Sequence, residues 1–317
     1  MLITFKAKDF VEGAGSLYQK YLFTYMYALA MQEAYVHTSA HLFKAHYKDT
    51  DLKKVEELWR LIFYPITSCG KSYEMNEHKE AIKSIPFADS YQHIKNIKKQ
   101  DREGLFKLVR GNFAKSFEEN NLTPKLDEGN FTIAVHLRAF GTGDINFFKN
   151  YTYPWQYFNC NYGLSDNCPE YYGKLYSKAI NAYINVVPRK KIIVHIHSTA
   201  SKKDLSPLVE RLDPRIEIQF CGEQLAPIAF LDMIHADILI ASHSSFSWLA
   251  LLLRHKPSRI RKGFRYILPE NTTLLDEVLY DEVPLIKRPI VFLRKVFDYC
   301  FFYPEYFFNL IRSRIYF

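Results

Sequence analysis

Cysteine is scarce in this chain, with five residues among 317. They are too few and too unevenly spaced for a disulfide scaffold, which points to a reducing compartment. Glycine and proline are also few, at 12 and 14, so the chain is neither fibrous nor low-complexity. No charge-free apolar run approaches the ~20 residues that a spanning helix needs. The opening MLITFKAKDF lacks the apolar core, about 7–15 residues long, of a secretory signal. A cytoplasmic protein is therefore expected. The four Asn-x-Ser/Thr matches, starting at Asn121, Asn130, Asn150 and Asn271, then read as chance. The net charge is +8, yet no block of five or more Lys and Arg occurs. That weakens a nucleic-acid reading and leaves an anionic membrane, a small anionic ligand or a mildly basic surface.

What is present suits a globular chain. At 48% hydrophobic and 24% charged, it buries a core and still dissolves, which excludes wholesale disorder. The length fits two ordinary domains or one large one. The 25 Phe, 23 Tyr and 3 Trp suit a deep core, sugar-stacking faces or a membrane interface, and composition does not choose.

The pattern changes along the chain. LITF near the start reads as a strand, and Glu12–Ser16 as a glycine-bearing turn. Leu17, Tyr18, Leu22, Tyr25, Met26, Leu29 and Ala30 recur at helical spacing, predicting a helix from Leu17 through Tyr35. Residues 36 to 128 read as mostly helical and charged. A first domain, 1–128, is thus helix-rich. From residue 129 strands and helices alternate. Strands are expected at Phe131–Leu137, Lys191–His197, Ile216–Phe220, Asp237–Ala241 and Phe264–Leu268. Helices are expected at Tyr171–Val187, near Pro207 in a first turn, at Leu225–His235 and at Phe246–Arg254. This is the βαβ signature of a parallel sheet of about five strands with helices on both faces. It defines a second domain, 129–284. The tail, 285–317, mixes Phe and Tyr with Lys and Arg. It reads either as a membrane-surface segment or as a helix crossing the two domains.

Ligands of such sheets sit at the carboxyl ends of the strands. Arg138 follows the first of these strands, beside the loop Ala139–Asp144, and guanidinium suits bidentate phosphate contact. His136 lines the same crevice or is a satisfied core histidine. His195 and His197 share a strand face, a spacing that can hold a metal. No Cys, Asp or Glu nearby in sequence completes a set, so no metal is expected, and His197 and Ser198 read as crevice-lining polar groups. The strongest local pattern is Ala241-Ser242-His243-Ser244-Ser245-Phe246-Ser247-Trp248, hydroxyls after a strand at the start of an apolar helix. Such hydroxyls and free N–H groups suit an anion site, and the alternative, plain N-capping, needs one serine and not four. Two matches are set aside. Cys69-Gly70-Lys71-Ser72 has Pro65 where a phosphate loop needs glycine. Asp49-Thr50-Asp51 reads as a helix cap, not a metal-binding Asp-x-Asp.

Three segments together resemble the fucosyltransferase superfamily, which groups α1,2- and α1,6-fucosyltransferases with protein O-fucosyltransferases. Glu12-Gly13-Ala14-Gly15-Ser16-Leu17-Tyr18-Gln19 is similar to its opening Gly-x-Gly-Asn-Gln segment. Val135-His136-Leu137-Arg138 with Asp144 resembles its His-x-Arg-Arg-Gly-Asp motif. Phe230–Asp237 through Ser244-Ser245-Phe246-Ser247-Trp248 resembles its third motif. The resemblance implies a GT-B architecture of two facing Rossmann-like domains. It also implies inverting transfer from a nucleotide-sugar, usually GDP-fucose, to a glycan or glycoconjugate hydroxyl, without an essential metal or other cofactor. Donor contacts would come from Gly13, Gly15, Ser16, Arg138, His197, Ser198, Ser244, Ser245, Phe246 and Ser247. Catalytic candidates are Arg138, Asp144 and His136, with Glu12 a further base candidate and Glu223 a candidate for a guanine edge. The chain departs at Ala139, where the motif has a second Arg, at the displaced Asp144, and at Ser16 in place of Asn. Other GDP- or UDP-sugars, or a silent glycan- or nucleotide-binding protein, are the alternatives.

Overall fold

The apolar runs become two parallel sheets. The structure is a computed structural model, and it describes residues 2–5, 14–38, 52–69, 82–123, 129–137, 169–198, 200, 202–242, 244–260 and 267–275. The first sheet holds β1 (Leu2–Thr4), β2 (Ala34–Tyr35) and β3 (Ile82–Ser84) in the order β2-β1-β3, with Leu2 opposite both Ala34 and Ile82. Between them lie α1 (Ala14–Ala30), α2 (Leu52–Ile62) and the short α3 (Tyr64–Thr67). After β3 come α4 (Phe87–Asn96) and α5 (Lys99–Glu119).

α1 begins earlier and ends earlier than its apolar spacing predicts. Ala14, Gly15 and Ser16 form its first turn in place of a loop. At the other end Gln32 adopts a φ of 55°. Its N–H donates to Leu29 O (3.1 Å), and that of Glu33 donates to Ala28 O (2.9 Å). This paired arrangement is a Schellman stop. The remaining predicted turn becomes β2. α5 stops the same way at Asn121 (φ 54°), with Leu122 N–H donating to Phe117 O (2.8 Å). Asparagine tolerates that conformation better than glutamine does.

The second sheet has six strands: β4 (Asn130–His136), β5 (Lys191–His197), β6 (Glu217–Phe220), β7 (Ile238–Ala241), β8 (Ser258–Ile260) and β9 (Thr272–Leu274). All neighbours are parallel, in the order β6-β5-β4-β7-β8-β9. Counted along the chain this is 3-2-1-4-5-6, the doubly wound order, which reverses between β4 and β7. The helices are α6 (Pro169–Asn181, followed by a 3-10 turn), α7 (Lys202–Val209), α8 (Ala226–His235) and α9 (Ser245–Leu253). α6 packs on α7, and α8 on α9. Right-handed crossovers place these two pairs on opposite faces, so β7 is buried along its length. Pro207 lies inside α7, not in its first turn. Of the strand expected at Phe264–Leu268, Ile267 and Leu268 are irregular, and 264–266 lie outside the described residues. β8 and β9 provide that side of the sheet instead.

One apolar core runs from Ile3 to Ile267 and joins α1, α2 and α5 to α8 and α9. Aromatic rings dominate it. Tyr18 stacks on Phe63 (4.3 Å) and Trp59 (5.2 Å), and Phe23 stacks on Trp248 (5.2 Å). Much of the aromatic wealth of the sequence is therefore core. Met1–Leu274 forms one compact unit, and Leu275–Phe317 a second. The tail beyond residue 275, with both readings given for it, lies outside the described residues. No helix among the described residues is long and apolar enough to cross a membrane.

Arg254 locks the crossover that feeds β7. It is fully buried. Its guanidinium donates to Met233 O (2.6 Å), Ala236 O (2.8 Å), Asp237 O (3.2 Å) and Lys256 O (3.0 Å). These include carbonyls that the end of α8 leaves without partners. Burial draws its pKa down to about 9, so it stays charged at neutral pH. Arg110 of α5 does the same for α9, donating from Nε to Leu252 O (2.9 Å).

Candidate functional site

The site is built where the strand order reverses. β4 and β7 are neighbours, and Ser242 N–H, just past β7, donates to His136 O (3.1 Å). α9 starts three residues later, at Ser245. Ser244 caps it, its hydroxyl accepting from Phe246 N–H (3.2 Å). Ser247, fully buried, donates to Ser242 O (3.0 Å). Its oxygen also lies 3.1 Å from His136 Nδ1, and Ser242 Oγ lies 3.0 Å from the same nitrogen. Because Ser247 has spent its proton on a carbonyl, it faces Nδ1 as an acceptor. The two serine oxygens together fix the orientation of the His136 ring through Nδ1.

The opening segment of the chain reaches the same place. A Cβ added to Gly15 would lie 2.8 Å from Phe246 Cα and 2.9 Å from Phe246 N. The first turns of α1 and α9 therefore touch backbone to backbone. Ser16 follows in α1. The Phe246 ring packs on His136 and Phe230 (both 5.5 Å) and on Trp59 (6.0 Å). It braces the turn from below while Ser245 stays partly exposed. Three sequence segments far apart in the chain thus meet at one sheet end.

A second cluster lies under β5. His195 Nδ1 and His197 Nε2 both approach Asp232 Oδ2 of α8 at 2.7 Å. Cys221, just past β6, belongs to the same group, with all four candidate donor atoms within 4.8 Å of one another. Burial opposes ionisation of Asp232, but the two imidazoles outweigh it and hold the carboxyl far below its usual range. The hydrogen bond to Asp232 raises the His195 pKa against the effect of burial. Burial, aided by the Asp232 charge, pushes the Cys221 thiol up to about 11. His197 Nδ1 is buried with no hydrogen-bond partner. The expectation that nothing near His195 and His197 could complete a ligand set was a statement about sequence distance. The fold brings up Asp232 and Cys221 from other elements.

Gly15, His136, Ser244, Ser245, Phe246 and Ser247 converge on the switch point, Ser247 as an internal support, and Ser16 follows Gly15 in α1. His197 instead is buried against Asp232. Ser198 Oγ accepts from Ala200 N–H (3.1 Å), shaping the turn after β5. Glu223 is exposed in the turn after β6. Gly13, Glu12, Arg138, Asp144 and His243 lie outside the described residues. Asp232 and Ser242 stand inside segments quoted from the sequence, but sequence reasoning gave neither a role of its own. A lone carboxylate in the apolar run APIAFLDMIH was the available sign. No protein-family model matches this chain, and no curated protein is similar to it.

Proposed function

We propose that this chain is an inverting glycosyltransferase of GT-B architecture. It transfers a sugar, fucose from GDP-fucose by the resemblance, to a hydroxyl of a glycan or glycoconjugate. The observation that carries the reading is the meeting of the α9 N-terminus, His136 and the first turn of α1 at the β4–β7 switch point. Doubly wound sheets take nucleotides in that crevice. The first turn of α9 presents amides and a positive dipole end, both suited to a diphosphate.

The chemistry assigns roles. The first-turn amides of α9 and the Ser245 hydroxyl face the leaving nucleoside diphosphate. Arg138, one residue beyond Leu137, adds a guanidinium to the same charge. Stabilising the phosphate charge that develops as the glycosidic bond breaks lowers the barrier. The acceptor hydroxyl attacks the anomeric carbon from the opposite face and loses its proton to a base. We assign that role to His136, which Ser242 and Ser247 approach at Nδ1, with Asp144 and Glu12 the other candidates.

Calorimetric binding of GDP, UDP, GDP-fucose and UDP-sugars to wild type and to Arg138→Ala, with chelator present, tests the reading. GDP compounds should bind, and the substitution should abolish binding. Binding of UDP compounds alone would overturn the donor. Failure of every nucleotide to bind, alone or with a glycan acceptor, would overturn the transferase.

A further inference from the structure

We infer that His195, His197, Cys221 and Asp232 form a binding site for one zinc-type divalent cation. Two imidazole nitrogens, one thiol and one carboxylate come from three elements: β5, the end of β6 and α8. A tetrahedral zinc ion with bonds of about 2.0–2.3 Å holds its donor atoms about 3.3–3.6 Å apart. The present separations bracket that, with two pairs at 2.7 Å and all within 4.8 Å. The site needs the His–Asp pairs to open by about 0.6 Å and the thiol to move in.

The donor set selects the metal class. Nitrogen and sulfur favour zinc, cobalt or copper over magnesium and calcium, which take oxygen. Four protein donors fill a tetrahedron, so this is a closed, structural kind of site, not one that keeps a position for water. Its place fits that role. Cys221 N–H donates to Ile196 O (2.9 Å), holding the end of β6 beside β5. A Cβ on Gly222 would lie 2.3 Å from Ser198 O, so the two strand ends leave no slack. The site is separate from the switch-point crevice, and the inference does not depend on the transferase reading.

The test uses the full chain, stripped with chelator and titrated with cobalt(II). One equivalent should bind, with four-coordinate visible bands and a near-ultraviolet thiolate-to-cobalt band. Cys221→Ser should remove the thiolate band, and Asp232→Asn should weaken binding at least ~10-fold. Cys69→Ser, which alters the other described cysteine, should change neither. Zinc at about 100 times its Kd should raise the melting temperature by about 4 °C. X-ray absorption of the zinc-loaded wild type, which needs no variant, should find one sulfur at about 2.3 Å and lighter donors near 2.0 Å. No stoichiometric binding of cobalt or zinc, a thiolate band that survives Cys221→Ser, or a zinc shell with no sulfur or several would each overturn the site.

Discussion

The contact between the first turns of α1 and α9 predicts that one exchange will have opposite effects at different glycines. Gly15→Ala places a methyl group 2.8 Å from Phe246 Cα and 2.9 Å from its nitrogen. Ordinary contact begins near 3.4 Å, so the turns must part by about 0.6 Å. Both neighbours are backbone, and neither can rotate away. Phe246 is held in turn by Phe230, Trp59 and His136. Overpacking of this kind costs about 1–3 kcal/mol. The gain in helix propensity from glycine to alanine is at most ~1 kcal/mol and is smaller in a first turn. The net expectation is a loss of about 1–2 kcal/mol.

Gly104 and Gly111 are the controls. Both lie inside α5, both are exposed, and neither has an atom within 4 Å of an added Cβ. Alanine at each should stabilise by about 0.5–1 kcal/mol. Urea unfolding of the three variants reads the difference as shifts in midpoint at constant slope. A neutral or stabilising Gly15→Ala, alongside stabilising controls, would refute the close approach. It would also remove the first segment from the proposed site. Under the proposed function Gly15→Ala should also weaken nucleotide binding, because it displaces the turn that meets the diphosphate.

Three further outcomes are expected. Arg254→Met should lose about 3–5 kcal/mol by urea unfolding, because four carbonyls lose their donor in a water-free place. Gln32→Gly should stabilise by about 0.5–1 kcal/mol, because glycine adopts the φ of 55° without strain and the exposed side chain is not needed for the stop. His235 is pulled down from 6.5 to about 4 by burial and by the charges of Lys256 and Arg254, against a smaller opposing effect of Asp232. Its folded pKa lies below its unfolded one, so its contribution is complete above pH 6.5 and drains away as pH falls towards about 4. The pH gap corresponds to about 3 kcal/mol, reduced to about 2 by the ring's partial exposure. Stability measured across that window should fall in wild type and flatten in His235→Leu. His195, shifted upwards, gives a constant contribution there, since its stability is present below 6.5 and lost only as pH rises.

How much of this was legible depends on what each residue had to satisfy. KIIVHIH reads as a strand because burial on both faces demands a continuous β-branched run. The serines before Trp248 read as an anion turn because their hydroxyls and their position after a strand are local facts. β8 and β9 were not legible. Each has three residues, SRI and TTL, and pairing with a neighbour makes them strands, not an apolar pattern. FRYIL carries the apolar pattern, yet Ile267 and Leu268 are not in the sheet. Ile267 instead accepts the Trp248 indole N–H (3.0 Å) through its carbonyl. The end of α1 was also hidden, because the apolar spacing continues past a stop made by one residue's backbone conformation.

The His195–Asp232 pairing was beyond any local reading, and its cause is the topology itself. A chain that runs β4, β5, β6 outward must return to the other side of β4 to form β7. α8 makes that return and crosses beneath β5 and β4. The crossing sets Asp232 under the two histidines of β5 and brings Phe230 to Phe246 at the start of α9. A single reversal of strand order therefore creates both features. It makes β4 and β7 neighbours, where His136 and the α9 turn meet, and it closes the cluster under β5. A substitution that shifts α8, such as Arg254→Met at its anchored end, should disturb both together. A substitution inside either one should leave the other intact. Cobalt titration and nucleotide calorimetry on the same variants separate these cases.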